Sequence, residues 1–269
     1  MSVVISDSAG RVPTKVLSNP LLMQIVAVIP TLNEASNIET LLEGIFTAHP
    51  TIHAIIVDDG STDGTDDAVS RCAQKYFHDG VSRVHLIERG SKKGYASAVQ
   101  DGMRLALEKG ATHIVQMDAD LSHNPEHLPA MLEKSETCDL VLGSRYIPGG
   151  GTRNWGWDRK VLSSTANGLV RLLLGVKARD CTGGFRCWHR EWIEKCDILN
   201  LKVEGYAFLF IALDRSYRAG AVIGEVPIIF NDRENGKSKM SRKIVIEAMK
   251  VLFVLWWGRK FKSKSNPPT

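Results

Sequence analysis

The sequence predicts an α/β domain with a mostly parallel central sheet. Three observations lead to this fold class. From residue 25 onward, short apolar runs alternate with stretches of helical periodicity, several of the apolar runs end in acidic residues, and no linker or internal repeat divides the 269 residues. Strands that alternate with helices build a parallel sheet that is covered on both faces. We therefore expect one α/β domain with an elaborated C-terminal third.

The first half of the chain contains five predicted strands and four predicted helices. The strands are short apolar runs, at 25–29, 54–57, 84–87, 113–117 and 140–142. The helices carry apolar residues such as Ile38 and Leu42 on one face, and they are predicted at 35–47, 66–76, 96–109 and 125–134. Pro125 lies in the first turn of the last helix, where a missing N–H costs nothing.

After residue 143 the regular alternation ends. A loop rich in Gly and Trp covers 149–157, and the later elements are helices at 160–174, 190–195 and 206–219 and a strand at 222–229. The chain is divided into a flexible N-terminal extension (1–24), a main domain (25–240) and a C-terminal amphipathic helix with a basic tail (241–269).

Composition and charge exclude several classes of protein. With 43% apolar and 24% charged residues, the chain is an ordinary globular protein and not a disordered one. Residues 237–269 hold nine Lys/Arg and one acid, for a net charge of +8, so residues 1–236 carry −4 of the total +4. A uniformly basic nucleic-acid binder is not expected to look like this. Five Cys without a Cys-x-x-Cys pair predict a reducing compartment.

The tail predicts contact with a membrane surface. Trp256 and Trp257 end an apolar stretch and are followed by basic residues, which is typical of an interfacial helix on anionic lipid. The alternative is a core-packing helix that ends in a solvated tail. Glu247 and Lys250 interrupt the apolar run, and the N-terminus has no signal-peptide pattern, so neither a spanning helix nor secretion is expected.

Acidic residues follow three of the predicted strands. Glu34 lies after the first strand, Asp59 after the second, and Asp118 and Asp120 after the fourth. Because the carboxyl ends of parallel strands share one edge, these carboxylates are expected together, which is costly without a cation or polar ligand. The Asp-x-Asp spacing suits a divalent ion that also holds a diphosphate. For 61–63, helix capping and turn formation are the favoured roles.

Together with these acidic positions, a series of later motifs, in order over residues 25–240, carries a family resemblance. The motifs are Asp118-Ala-Asp-Leu-Ser-His123, Gly143-Ser-Arg-Tyr146, Gly150-Gly151, Asn154-Trp-Gly-Trp157, Thr182-Gly-Gly-Phe-Arg186, Gly224-Glu-Val-Pro227 and Asp232-Arg-Glu-Asn-Gly-Lys-Ser-Lys239. The chain resembles the dolichol-phosphate (polyprenol-phosphate) mannose synthases, which are inverting family-2 glycosyltransferases. The resemblance implies a single glycosyltransferase A-type (nucleotide-diphospho-sugar transferase) domain. It also implies transfer of mannose from GDP-mannose to a dolichyl or polyprenyl monophosphate.

The resemblance also implies roles for individual residues. The guanosine would be held by Pro30, Leu32, Glu34, Val57 and Asp59. The diphosphate and a Mg²⁺ or Mn²⁺ ion would be held by Asp118, Ala119 and Asp120, with both Asp residues as metal ligands. Phosphates would be met by Arg145, Arg233 and Lys239, with Arg159 and Arg186 as candidates for the acceptor phosphate. Asp120, Arg145, Arg233 and Lys239 are the implied catalytic residues.

Three positions depart from the family pattern and keep other donors open. Leu32 stands where the family commonly has Tyr, and Leu209 and Ile211 replace a Gln and an acid. UDP-glucose or another nucleotide sugar is therefore an alternative donor for the same lipid acceptor. A nucleotidyltransferase would need a Gly-rich basic loop after the first strand, where Thr31-Leu-Asn-Glu34 stands. A non-enzymatic nucleotide-binding module would need neither Asp118-x-Asp120 nor the late Arg233…Lys239 pair.

The resemblance also implies binding partners and a cellular location. The partners are a nucleotide sugar, the polyprenyl phosphate and a membrane surface, with small membrane-anchoring subunits as an additional possibility. No nucleic-acid partner is expected. The enzyme would act at the cytoplasmic face of the endoplasmic reticulum or plasma membrane, as a peripheral protein.

Overall fold

A computed structural model describes residues 24–78, 80–232 and 249–257. The strands are β1 (Ile25–Thr31), β2 (His53–Asp58), β3 (Phe77–His78), β4 (Val81–Ser82), β5 (Val84–Glu88), β6 (His113–Gln116), β7 (Leu140–Ser144), β8 (Gly151–Arg153), β9 (Arg186–His189), β10 (Ile223–Pro227) and β11 (Ile229–Asn231). The helices are α1 (Ala35–Ala48), α2 (Thr65–Lys75), α3 (Tyr95–Glu108), α4 (Leu128–Ser135), α5 (Trp157–Leu174), α6 (Arg190–Lys195), α7 (Ala207–Arg218) and α8 (249–257). Short 3₁₀ turns cover Pro125–His127 and Ile198–Asn200.

Seven strands form the central sheet, in the order β10-β7-β9-β6-β1-β2-β5. Its neighbours pair in parallel, except that β9 lies antiparallel between β6 and β7. The strands β8 and β11 pair in parallel beside it, and β3 and β4 form a small antiparallel hairpin. The mostly parallel α/β sheet that the sequence predicts is confirmed.

Two apolar clusters cover the two faces of the sheet. One contains buried residues of α3, α5 and α7, and the other contains those of α1, α2 and α4. Helix α3 approaches β1 so closely that a Cβ added at Gly102 would lie 2.4 Å from Val28 Cγ1. A larger residue at position 102 would therefore push α3 off the sheet.

The structure differs from the sequence prediction mainly after residue 143. The strand predicted at 222–229 is two strands, β10 and β11, which belong to different sheets. Helix α5 begins at Trp157, three residues earlier than predicted, and β8 lies within the predicted loop 149–157. The sequence missed β9 because this strand has four residues and runs directly into α6.

The ends of the chain are described only in part. The predicted N-terminal extension lies almost entirely outside the described residues, and so does the tail apart from 249–257, which is helical. Within the described ranges, no helix has both the length and the apolar character to span a bilayer.

Candidate active site

Loop 118–123 follows β6 and is closed by its own side chains. Asp120 Oδ1 accepts hydrogen bonds from the backbone N–H of Ser122 (3.1 Å) and from its hydroxyl (2.5 Å). The backbone N–H of Asp118 donates to His123 Nδ1 over 2.9 Å. Between them Leu121 adopts a left-handed backbone with φ of 62°. A non-glycine residue adopts this conformation at a cost, and such strain often lies at functional sites.

The imidazole ring of His123 is neutral and holds this loop in place. It is buried, stacks on Phe185 at 5.1 Å and meets the edge of Phe230 at 5.5 Å. Burial lowers the pKa of His123, although the charges of Asp118 and Asp120 act in the opposite direction. The unprotonated Nδ1 can therefore accept the hydrogen bond from Asp118.

The loop after β1 and the loop after β2 are joined by hydrogen bonds. The Asn33 N–H donates to Ser61 Oγ (2.8 Å), and Asn33 Oδ1 accepts from the Thr62 N–H (2.9 Å). Asp63 Oδ2 accepts from the Ala35 N–H, the first residue of α1 (3.0 Å). The turn role predicted for 61–63 is confirmed, because Asp58 Oδ2 accepts from the Ser61 N–H (2.8 Å) and Asp63 Oδ1 accepts from the Thr65 N–H (3.1 Å). The N-cap of α2 is Gly64, which lies just after these residues.

The residues assigned to the nucleoside lie at the ends of the first two strands. Pro30 and Val57 are partners in the β1–β2 register, with Leu32 and Glu34 just beyond β1. Val57 is fully buried, and its side chain belongs to the apolar core. Glu34 Oε2 accepts a hydrogen bond from Asn37 Nδ2 over 2.7 Å. Their contact with a base stays a prediction.

The carboxylate of Asp59 accepts hydrogen bonds from the loop between β5 and α3. Its Oδ1 accepts from the Lys93 N–H (2.8 Å) and from Arg89 Nη1 (2.8 Å), and its Oδ2 accepts from the Gly94 N–H (2.9 Å). Arg89 is almost fully buried in this ion pair, and sequence reasoning missed it. A base bound by Asp59 would have to share the carboxylate with these donors.

Arg145 forms a buried, two-pronged ion pair with Asp180. Arg145 Nε lies 2.7 Å from Asp180 Oδ2, and Nη2 lies 2.8 Å from Oδ1. Burial alone would raise the pKa of Asp180, but the charge of Arg145 and the hydrogen bonds that Arg145 donates together outweigh burial, and the pKa lies below its usual range. The predicted phosphate contact of Arg145 stays a prediction. Asp180, which sequence reasoning missed, already balances its charge.

Arg186 and Arg159, the two candidates for the acceptor phosphate, lie in different environments. Arg186 is fully buried, and its guanidinium donates to the carbonyls of Gly183, Leu209 and Cys181. This burial lowers the pKa of Arg186 to about 10. A phosphate could reach Arg186 only if these bonds broke.

Arg159, by contrast, lies in the first turn of α5 with about a third of its side chain exposed. Its Nη1 is 2.6 Å from Asp232 Oδ1, and its guanidinium carbon lies 4.1 Å from the centre of the Trp155 ring. Of the two candidates, Arg159 is the accessible one. Arg233 and Lys239 lie outside the described residues.

Three side chains meet at one position in front of Gly184. A Cβ added there would lie 2.9 Å from Tyr95 Oη, 3.4 Å from His123 Cε1 and 3.5 Å from Asp118 Oδ1. The first carboxylate of loop 118–123 therefore borders a small space closed by a glycine, a tyrosine hydroxyl and the buried imidazole. Sequence reasoning missed Tyr95, which follows Gly94 at the start of α3.

The carboxylates of loop 118–123 fit a divalent ion. Within the described part of the chain, no three His, Cys, Asp or Glu side chains are grouped to hold a metal on their own. Mg²⁺ is commonly bound by one or two carboxylates together with substrate phosphates and water. Asp118 and Asp120, two oxygen donors at the carboxyl edge of the sheet, have the chemistry for such a shared site.

Comparisons with known proteins agree with this geometry. Residues 26–197 match the family model described as glycosyl transferase family 2. The chain is 42% identical over 234 residues to a polyprenol monophosphomannose synthase of Mycolicibacterium smegmatis, covering 87% of this chain and 86% of the relative. It is 40% identical over 237 residues to an undecaprenyl-phosphate mannosyltransferase of Micrococcus luteus, with 88% and 94% covered.

Solved structures show the same fold. Glucosyl-3-phosphoglycerate synthase of Mycobacterium tuberculosis, in complex with Mn²⁺, UDP and glucosyl-3-phosphoglycerate, matches with a TM-score of 0.62 and 20% identity over 88% of this chain and 80% of that chain. Its complex with Mn²⁺, UDP-glucose and phosphoglyceric acid matches with a TM-score of 0.60 and 20% identity, covering 86% and 80%. The chain belongs to glycosyl transferase family 2 and has the predicted glycosyltransferase A-type fold.

Proposed function

We propose that this glycosyltransferase moves mannose from GDP-mannose to a polyprenyl or dolichyl monophosphate. The observation that carries the proposal is the 40–42% identity, over nearly nine tenths of the chain, to two enzymes named for this kind of transfer. The product would be a polyprenyl-phosphate mannose. Loop 118–123 supplies the carboxylates for the metal, and Mg²⁺ and Mn²⁺ both suit oxygen ligands.

The chemistry requires charge stabilisation more than proton transfer. The acceptor phosphate is largely ionised at pH 7, since the second pKa of a phosphate monoester is about 6, so it can attack without a general base. Asp118 and Asp120 would hold the divalent ion, which neutralises charge on the departing diphosphate when bound. Arg159 would hold the acceptor phosphate, because its partly exposed fork suits two-pronged phosphate contacts.

The donor can be identified by ligand binding. We expect GDP-mannose and GDP, each with MnCl₂, to raise the melting temperature more than UDP-glucose or UDP, because a ligand that binds only the folded state stabilises it. A larger shift with UDP-glucose would favour the alternative donor, which the departures at Leu32, Leu209 and Ile211 keep open. No shift with any nucleotide, with or without MnCl₂, would contradict a nucleotide-sugar enzyme.

Helix α5 supports a role at a membrane surface. It has 18 residues, but only Asn167, Val170 and Leu174 are buried. Trp157, Val161, Leu162 and Leu172 are exposed large apolar side chains, with Trp157 at 79%. Lys160 and Arg171 are exposed on the same helix. Apolar and basic side chains together on one surface helix suit the interface of an anionic bilayer.

Helix α8 carries further exposed apolar side chains, and Arg159 lies at the start of α5. Phe253, Val254 and Trp257 on α8 are also exposed. The candidate acceptor-phosphate ligand Arg159 lies in the first turn of α5, so a lipid phosphate at the bilayer surface would meet it there. We propose that α5 docks on the cytoplasmic leaflet, where anionic lipids attract basic segments. A requirement for small anchoring subunits stays a prediction.

A further inference from the structure

The side chains of Arg145 and Arg159 contact the same indole ring. Trp155 follows β8 and is 8% exposed. The guanidinium carbon of Arg159 lies over its ring, 4.1 Å from the ring centre, and that of Arg145 lies over it at 5.4 Å. Within the described residues, the buried Nε1 of Trp155 has no hydrogen-bond partner. Trp155 therefore contacts its neighbours through its ring and not through its N–H.

The ring of Trp155 is packed against the side chains that support loop 118–123. It meets Phe230 edge to face, with 5.3 Å between the ring centres and 72° between the planes. Phe230 in turn meets the ring of His123 edge to face at 5.5 Å, and His123 accepts the hydrogen bond from the Asp118 N–H. A continuous row of packed rings thus connects this loop to Trp155.

The two guanidiniums depend on the ring to different degrees. Arg145 is fixed without it, by the two-pronged ion pair with the buried Asp180. Among the described residues, the Arg159 guanidinium contacts the carboxylate of Asp232, which is about a third exposed, and the ring of Trp155. A phosphate bound by Arg159 would replace this carboxylate. The ring is then the contact that still holds the guanidinium.

We propose that Trp155 is a positioning residue that holds the Arg159 guanidinium in place for the acceptor phosphate by a cation–π contact. This inference rests on the proposed role of Arg159 as a ligand of that phosphate. A guanidinium that stacks on an aromatic face keeps the N–H groups at its edge available, and these can meet two phosphate oxygens. Because the ring packs toward loop 118–123, it also fixes where the phosphate lies relative to the proposed metal site.

Binding of farnesyl phosphate, a short polyprenyl phosphate, tests the inference without turnover. Isothermal titration in the presence of MnCl₂ should show that Trp155→Leu weakens this binding by about fivefold, the size expected when one partly exposed cation–π contact is lost. Trp155→Phe, which keeps a smaller aromatic ring, should weaken it by about twofold. The affinity for GDP should be unchanged in both variants, because the residues assigned to the nucleoside lie on the loops after β1 and β2.

The matched control is Trp192→Leu. Trp192 lies on α6, and Lys195 Nζ is 3.9 Å from the centre of its ring, so this variant also removes a cation–π contact. Helix α6 follows β9 at the opposite edge of the sheet, since His189 pairs with His113 at the start of β6. Trp192→Leu should therefore bind farnesyl phosphate as the wild type does.

A double variant assigns the effect to Arg159. Arg159→Ala alone should weaken farnesyl phosphate binding by about tenfold, because a charged hydrogen-bond donor to the phosphate is lost. In this background Trp155→Leu should add almost nothing, since both changes remove the same interaction. A further loss of about fivefold would show that Trp155 acts through groups other than Arg159, and it would overturn the inference.

The remaining outcomes separate the inference from the proposed function. If Arg159→Ala weakens binding but Trp155→Leu behaves like Trp192→Leu, the positioning role is wrong and the acceptor role of Arg159 stands. If Arg159→Ala has no effect, or the wild type does not bind farnesyl phosphate, the acceptor role fails and the inference fails with it. If the melting temperature shows that Trp155→Leu does not fold, Trp155→Phe decides, and wild-type affinity in that variant overturns the inference.

Discussion

Two regions at the carboxyl edge of the sheet are held together in different ways. After β1, β2 and β5, side chains of one loop bond mainly to the backbone of the next, as Asp63 does with Ala35 and Asp59 with Lys93 and Gly94, and a buried arginine, Arg89, adds an ion pair to Asp59. After β7 and at the start of α5, the connections are ion pairs between side chains, Arg145 with Asp180 and Arg159 with Asp232. The first region is thus joined mainly through backbone N–H groups, whereas the second is joined through paired charges.

The two arginine pairs of the second region also differ from each other. In the Arg145–Asp180 pair the side chains are 8% and 0% exposed, whereas in the Arg159–Asp232 pair they are 35% and 33% exposed. Burial makes the loss of one partner costly, since the remaining charge has no water to solvate it. In the exposed pair, Arg159 can exchange the Asp232 carboxylate for another anion with little loss of free energy. The buried pair should therefore contribute more to the stability of the fold, and the exposed pair is more accessible to a substrate.

The largest effect is expected from breaking the buried pair. Asp180→Asn leaves the Arg145 charge buried without a counterion, and it should lower the free energy of unfolding by about 3–5 kcal/mol. Urea denaturation would measure this loss. An Arg145→Met/Asp180→Leu double variant, which removes both charges, should lose much less. Equal losses in the two proteins would show that packing and not charge holds this region together.

Acid should weaken the same pair. The folded pKa of Asp180 lies below its ordinary value of 3.8, so the ionised pair stabilises the fold fully above that pH and less as pH falls through the folded pKa. The difference in unfolding free energy between wild type and Asp180→Asn should therefore shrink below pH 3.8. A difference that stays constant across a pH series of denaturation curves would contradict the charge pairing.

At the proposed metal site, Asp120→Asn should strongly lower the rate of mannose transfer while leaving the fold intact. Losing one fixed electrostatic stabiliser typically costs about 3–4 kcal/mol, or 10²–10³ in rate. Steady-state kinetics would measure the rate, and the melting temperature would serve as the control. Near-normal turnover that still requires metal would contradict the role of Asp120.

A smaller effect is expected on the membrane side. Trp157→Ser removes the most exposed aromatic of α5 and should weaken binding to anionic liposomes by about five- to thirtyfold, since burying one such side chain contributes on the order of 1–2 kcal/mol. Phe77→Ser, on the β3–β4 hairpin, removes another exposed aromatic and should bind unchanged. If the two variants lose binding equally, α5 is not the docking surface.

The smallest change in stability should come from the exposed pair. Asp232→Asn should cost less than about 1 kcal/mol of unfolding free energy, in contrast to Asp180→Asn. Because it releases Arg159, it should also lower the KM for polyprenyl phosphate without changing the KM for the nucleotide sugar. An unchanged acceptor KM would show that Arg159 does not bind the acceptor.

Local patterns predict the first half of the chain well. The apolar runs of β1, β2 and β5 and the turn at 61–63 can be predicted because each depends on neighbours a few positions away. The acidic residues at strand ends predicted the carboxyl edge, because parallel strands end on the same side. Glu34, Asp59, Asp118 and Asp120 all follow strands that the structure contains.

Long-range pairings could not be read in the same way. Strand β9 is defined by its pairing with β6 and β7, between which it lies, and its four residues show no alternation of apolar and polar side chains. Asp180 and Arg89 form ion pairs with residues that are 35 and 30 positions away in the sequence. No local spacing of residues indicates such pairs. The burial of Arg186, a candidate phosphate ligand by motif, depends in part on the carbonyl of Leu209, which lies 23 positions away and is brought near by the tertiary fold.

The proposed function is tested most directly by transfer of radiolabelled mannose from GDP-mannose to undecaprenyl phosphate by the purified protein. We expect a mannolipid product that forms with MnCl₂ or MgCl₂, is lost with EDTA, and is reduced by two to three orders of magnitude in Asp120→Asn. Transfer that EDTA does not affect, or lipid labelling from UDP-glucose but not from GDP-mannose, would contradict it.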